Sequence, residues 1–344
     1  MRSKIAAVII PFAAAALTLF LLCRPEAPYR VPPKNGIRIA TYNMEFLTER
    51  ISPERKANLQ SVIRNIRPDI LAAQEVESRA ALQNVLGDEW QIGIADLRKE
   101  PQELAVAVRA PCRLLEYRLL FPSASLDDPF PGGRDVLRAV VQAENLRLVL
   151  YVVHYKSRSG GRLLTDPRRA AASRILLNYL RAHQDENQIV LGDFNDTPDD
   201  TSLEILETGD PNARPESDAK PGFLFNTCGS DWAEDVCTLD LYHRARGSYI
   251  DPHVRGARKD NNRLRGIEYR YPADVRVREI MFDQILVNSR LQSRVQSSAF
   301  VYTGADAVNG LNSVVVRTGS GRAEVRLAGS LASDHVPVFI DLSR

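Results

Sequence analysis

LGDFND, residues 191–196, is the stretch that decides the fold. It sets Asp193 and Asn195 directly behind an apolar run, 188–191, short enough to be a buried strand. Upstream, Asp166-Pro167 opens an amphipathic helix that runs through His183. Before that helix, residues 137–142 and 146–155 read as a hairpin turning at Glu144-Asn145. The unit is strand, helix, strand, with polar groups where the strands end: His154 on one, Asp193 and Asn195 on the other. Layered α/β proteins gather their catalytic groups at such ends.

The same alternation opens the chain. Residues 37–42 read as a strand followed by Asn43, and Ser52-Pro53-Glu54 begins a helix with cap, first-turn proline and acid in their favoured places. Leu59, Val62, Ile63 and Ile66 form its buried stripe. Residues 69–76 make a second strand with Glu75 at its end, and 78–86 a helix stopped by Gly87. Strands are expected at 90–95, 104–108 and 115–121. From Asp196 to Arg278 the chain is dominated by Pro, Asp, Gly and Arg, with only 202–206 periodic, so loops are expected there. Strands return at 280–287, where Asp283 stands, at 299–302, 312–318 and 323–328, and at 336–341, behind Asp334-His335. No internal repeat is visible.

Asn43, Glu75, His154, Asp193, Asn195, Asp283, Asp334 and His335 thus all mark strand ends. One carboxylate there is usually a cap or turn residue. Together they offer four carboxylates for a hard cation, two amides for oriented hydrogen bonds and two imidazoles for proton transfer or charge stabilisation.

TYNMEF at 41–46, AAQEVES at 72–78, VVHYKS at 152–157, LGDFND, MFDQILV at 281–287 and SDHVPV at 333–338 resemble, in this order, the endonuclease/exonuclease/phosphatase superfamily of DNase I-like proteins. The resemblance spans nearly all of the chain after its first residues. It implies a four-layer α/β sandwich, with two mixed β-sheets face to face and helices outside. It also implies Glu75 as leading metal ligand, with Asn43 and Asp334 beside it, and Mg2+ or Mn2+ as the ion. By the same resemblance Asp193 orients or deprotonates the water and Asn195 binds the phosphate. His335, steered by Asp283, either stabilises charge or acts as the base, and His154 meets the phosphate or the leaving group. Glu45 is a supporting candidate, and Lys156, Arg162 and Tyr249 are candidate substrate contacts.

Length and composition are compatible with this reading and name nothing by themselves. The 344 residues are 44% hydrophobic and 26% charged, with a net charge of +2 too near zero to indicate a polyanion partner. Charge is concentrated instead. Lys156, Arg158, Arg162, Arg168 and Arg169 follow His154, and an arginine-rich excursion over 244–278 is interleaved with Tyr249, Tyr269 and Tyr271, a pattern suited to nucleic acid. A solvated loop of locally paired arginines is the bland alternative. The expected substrate is therefore DNA or RNA, the alternatives being a lipid or small phosphoester, as in a sphingomyelinase, or a non-catalytic binding relative.

Arg2 and Lys4 precede an apolar run, 5–22, closed by Arg24-Pro25, which reads as a signal peptide or membrane anchor over 1–24. A linker at 25–35 and a catalytic domain at 36–344 follow. The expectation is export to the periplasm or beyond, with or without retention at the inner membrane. Leu22 before Cys23 is bulky where lipidation wants a small residue. Cys228 and Cys237 are either bridged or two thiols. Nothing implies a protein partner, and a monomer is expected.

Overall fold

Two pairs of parallel strands need two crossover helices, and they organise the molecule. The computed structural model describes residues 31–95, 102–131, 134–158, 162–214, 222–229, 238, 281–302, 313–317, 323–327 and 332–344. β1 (Ile37–Leu47) runs into α1 (Pro53–Ile66), which returns the chain to β2 (Ile70–Val76), parallel to β1. Ser52 caps α1, its hydroxyl accepting from the Arg55 amide at 3.0 Å. α2 (Arg79–Leu86), capped by Ser78, then packs on β2 and on β3 (Trp90–Ile94), which pairs with β4 (Glu103–Arg109).

The second crossover is built from the stretch around LGDFND. β5 (Cys112–Leu120), β6 (Val136–Ala143) and β7 (Leu146–His154) form an antiparallel meander. α3 (Arg162–Arg181) crosses over to β8 (Gln188–Asp193), parallel to β7. After α4 (Thr201–Thr208) come β9 (Leu224–Asn226), β10 (Asp283–Asn288), the single turn α5 (Ser289–Gln292) and β11 (Phe300–Val301). β12 (Ser313–Arg317) pairs with β13 (Ala323–Leu327), and β14 (Val338–Leu342) closes the chain against β1.

Two six-stranded mixed sheets result, ordered β11-β14-β1-β2-β4-β3 and β5-β6-β7-β8-β10-β9. They face each other through β1, β2, β4, β6, β7, β8 and β10. On the outer face of the second sheet Val149, Tyr151, Val153 and Val190 meet Leu176, Leu177 and Leu180 of α3. Strand alternation turns Leu148, Leu150, Val152, Ile189 and Leu191 toward the other sheet, and all are buried. Burial on both faces is why these strands read as continuous apolar runs. This is the four-layer sandwich expected.

Boundaries differ where burial leaves no pattern. α3 begins at Arg162 rather than Asp166, and its added turn exposes Leu163 and Leu164 by 55% and 57%, so no apolar stripe announces it. β1 continues past Tyr42 to Leu47 through a break in register, and the three-residue β9 is too short for a period. The leader, Cys237, Tyr249 and the arginine-rich excursion lie outside the described residues. Among those described, no helix is long and apolar enough to cross a membrane.

Candidate active site

Both parallel pairs end at one place. In the second sheet the ladder is regular, pairing His154 with Asp193, and Asp283 with Asp193 from the other side. Gly192 makes the approach of β7 and β8 possible: its φ is +144°, and a Cβ there would stand 2.0 Å from the Val153 carbonyl oxygen. In the first sheet the pairing is broken. β1 and β2 lose register between Asn43 and Leu47, and β2 and β4 between Ala73 and Val76. Glu45, Phe46 and Glu75 adopt left-handed φ of 42°, 49° and 60°, as does Asn195 at 52°. Left-handed non-glycine residues are uncommon and gather where function over-determines the backbone.

Neighbouring side chains hold this bent backbone. Arg55 of α1 donates to the carbonyls of Met44 (2.7 Å), Glu45 (2.6 Å) and Ala332 (3.2 Å). The Ser333 hydroxyl donates to the Asn43 carbonyl at 2.7 Å and accepts from the His335 amide at 3.1 Å. The Asp334 amide donates to Glu45 Oε2 at 3.1 Å, and the Phe46 amide to Glu75 Oε2 at 3.1 Å.

Asp193 lies at the centre, buried. Its Oδ2 accepts from Asn43 Nδ2 (3.0 Å) and Asn195 Nδ2 (3.2 Å), and its Oδ1 from the Asn195 amide (2.8 Å). Nε2 of His154 stands 3.5 Å and Nε2 of His335 3.9 Å from the same Oδ2. Burial raises the Asp193 carboxyl above the usual carboxylate range; His335 opposes this and Asp283 adds to it. His335 donates through Nδ1 to Asp283 Oδ2 at 2.6 Å. Burial disfavours its charge, but Asp283, then Asp193 and Asp334, hold it well above the usual imidazole range. His154 goes the other way. Glu75 and Asp193 approach its ring at 3.7 and 3.5 Å, yet burial and the charges of Arg134, His335 and Lys156 keep it well below that range, so these are contacts of a neutral ring.

The expected residues Asn43, Glu75, His154, Asp193, Asn195, Asp283, Asp334 and His335 are therefore brought together. The side-chain nitrogen of Asn195 donates to Tyr155 O (3.1 Å) and to Asp193 Oδ2 (3.2 Å), so it orients Asp193. Arg162 is held by Asp166 and Asp200, and Lys156 lies beside His154 with its pKa lowered by burial and by Arg134. Sequence reading missed Arg134, whose Nη1 stands 3.4 Å from His154 Nε2, and Arg55, Ser333 and Thr238, which fix the backbone. A lone arginine in a turn carries no periodic signal.

Among the described residues no group of three His, Cys, Asp or Glu is drawn together as a metal enclosure. What converges on the first-sheet side is negative charge: burial and then Glu45, Glu75 and Asp193 push Asp334 well above the carboxylate range. Crowded carboxylate and amide oxygens fit a hard divalent cation, and Asn43, Glu45, Glu75 and Asp334 are the residues that would hold it.

Residues 40–335 match the profile of the Endonuclease/Exonuclease/phosphatase family. Among curated proteins nothing matches. Solved structures share the fold at low identity. The human Nocturnin catalytic domain with bound sulfate is 17% identical, covering 93% of this chain and 99% of that one, with a TM-score of 0.53. A Bacteroides thetaiotaomicron mannosyl-6-phosphatase is 13% identical, covering 90% and 100%, with a TM-score of 0.55. D. rerio TDP2 complexed with a single-strand DNA product is 16% identical, covering 88% and 97%, with a TM-score of 0.51.

Proposed function

We propose, for a chain that belongs to the endonuclease/exonuclease/phosphatase family and is a hydrolase of phosphoric esters, that it is an exported nuclease using Mg2+ or Mn2+. The observation that carries the reading is the meeting of two kinds of group at Asp193. Carboxylates of Glu45, Glu75 and Asp334 crowd one another, while Arg134 and Lys156 act on His154, whose Nε2 stands 3.7 Å from Glu75 Oε1 and 3.5 Å from Asp193 Oδ2. A phosphodiester brings negative oxygens that suit the cationic groups, and a divalent cation suits the carboxylates.

The residues divide the work. Asp193, raised by burial and oriented by Asn43 and Asn195, takes the proton of the water that attacks phosphorus. Charged His335, aimed by Asp283, stabilises the charge that develops on the phosphoryl oxygens. Neutral His154, with Arg134 and Lys156, seats the phosphate. A bound divalent ion would draw charge from the phosphate oxygens and lower the pKa of a water. The P–O ester bond breaks to give a phosphomonoester and a hydroxyl.

Nucleic acid is favoured as substrate by the arginines and tyrosines of 244–278 and by the DNA product bound to a protein of the same fold. The full chain should hydrolyse single-stranded DNA or RNA in Mg2+ and lose that activity in EDTA. Turnover of sphingomyelin or a sugar phosphomonoester without nucleic acid would overturn the substrate, and metal-independent turnover would overturn the cofactor. The apolar run 5–22 supports export, and mass spectrometry of the mature N-terminus tests whether the leader is cleaved or retained.

A further inference from the structure

His335 is aimed by Asp283, and among the described residues the Asp283 side chain has no hydrogen bond besides this one. Its Oδ2 meets His335 Nδ1, while its Oδ1 is buried without a hydrogen-bond partner among the described residues. The terminal torsion of an aspartate is broad, so a carboxylate gripped at one oxygen takes its direction from its backbone. Asp283 is the first residue of β10, where the ladder ends. Its amide and that of Phe282 both donate to the hydroxyl oxygen of Thr238, at 3.0 and 2.9 Å. The carbonyl of Thr238 accepts from the amide of Val336, the neighbour of His335, at 2.8 Å. Thr238 itself is fully buried. A hydroxyl oxygen has two lone pairs, enough for both amides.

We propose that Thr238 is a positioning residue whose hydroxyl and carbonyl lock the Asp283 segment to the His335 segment, and so hold the His335 ring toward Asp193. Two partners that reach the site from distant parts of the chain are joined through one buried residue that bonds to the backbone beside each. The catalytic consequence rests on the phosphodiesterase reading, whereas the geometric consequence stands without it.

The test uses the full chain with Thr238→Val, Thr238→Ser and Thr238→Cys, and Asp283→Asn as control. Valine keeps the volume and removes the acceptor, serine keeps the acceptor, and cysteine supplies a weaker one. Two quantities are measured: the far-downfield proton of the short His335–Asp283 hydrogen bond by NMR, and kcat and KM for bis(p-nitrophenyl) phosphate in Mg2+. Asp283→Asn identifies the resonance by abolishing it. In Thr238→Val the resonance is lost and kcat falls roughly 10- to 100-fold with KM little changed, as expected when a catalytic group is displaced by about an ångström. Thr238→Ser keeps both, and Thr238→Cys falls between them, which preserves the comparison if the valine variant fails to fold. A resonance and kcat retained in Thr238→Val, or lost equally in Thr238→Ser, would overturn the proposal. If the wild-type chain cleaves no phosphodiester, the functional reading fails while the NMR series still decides the role of Thr238.

Discussion

The two crossovers, β1-α1-β2 and β7-α3-β8, use one topology to solve opposite problems. The first breaks its ladders and bends Glu45, Phe46 and Glu75 into left-handed backbone, so that carboxylates crowd beside Asp334. The second keeps its register to the last pair, His154 with Asp193, and surrounds it with Arg134 and Lys156. Left-handed backbone gathers at the ends of both, at Asn195 as well as at Glu45, Phe46 and Glu75. Of the two parallel ladders only the one where the carboxylates crowd is broken, and the other stays regular where a base and a neutral ring need fixed separation. The lesson is that the parallel pair supplies a place, and local departures from it decide which charge that place attracts.

Removing the carboxylate at the junction should break the comparison most severely. Asp193→Asn is expected to lower kcat roughly 10^2- to 10^4-fold, the scale of a general base, while circular dichroism shows the fold intact. A loss under tenfold would take Asp193 out of the chemistry. Gly192→Ala should come next. Its new Cβ would meet the Val153 carbonyl at 2.0 Å, so β7 and β8 must part. Denaturant unfolding should show a loss of about 3 kcal/mol or more, as expected for strain at a special backbone position. A variant as stable as wild type would mean that the ladder tolerates what the first sheet already does.

The smallest expected effect lies away from the junction and tests whether the second sheet carries hidden ionisation elsewhere. Burial pushes the Glu207 carboxyl up from 4.5 to about 7, beside Asn226. An acid raised in the folded state binds a proton that the unfolded chain has lost, so this group makes stability fall as pH rises from about 4.5 to about 7. Glu207→Gln should remove that slope. The variant should gain on the order of 1–2 kcal/mol at pH 8, allowing for partial exposure, and nothing at pH 4. Parallel stability curves for the two proteins would show that Glu207 titrates normally.

Much of this was legible because burial writes patterns. Strands β2, β4, β7 and β8 and helices α1 and α2 lie within a residue or two of their apolar runs and caps, whereas Asn43, expected at a strand end, lies inside β1. What escaped has physical causes. The bend at Glu45 is held by Arg55, 10 positions away on α1, which also donates to the Ala332 carbonyl 277 positions further on. Arg134 acts on the His154 ring, and Thr238 through the backbone amides of Phe282, Asp283 and Val336, so neither carries a sequence period. Arg162 reads in the sequence as a candidate substrate contact, whereas in the structure Asp166 and Asp200 hold it, and the second partner is 38 positions away.

The division between a cation-holding crossover and a phosphate-holding one is tested most directly by cross-titrating Glu75→Gln and Arg134→Ala for Mg2+ and for substrate. At saturating substrate, Glu75→Gln should need at least about tenfold more Mg2+ for half-maximal turnover, the scale of a lost metal-site interaction. Its substrate KM at saturating Mg2+ should change little. Arg134→Ala should leave the Mg2+ curve in place and raise KM about tenfold or more, as expected for a lost charged hydrogen bond. If both variants shift the same curve by similar factors, the two crossovers do not divide the work and the account is contradicted.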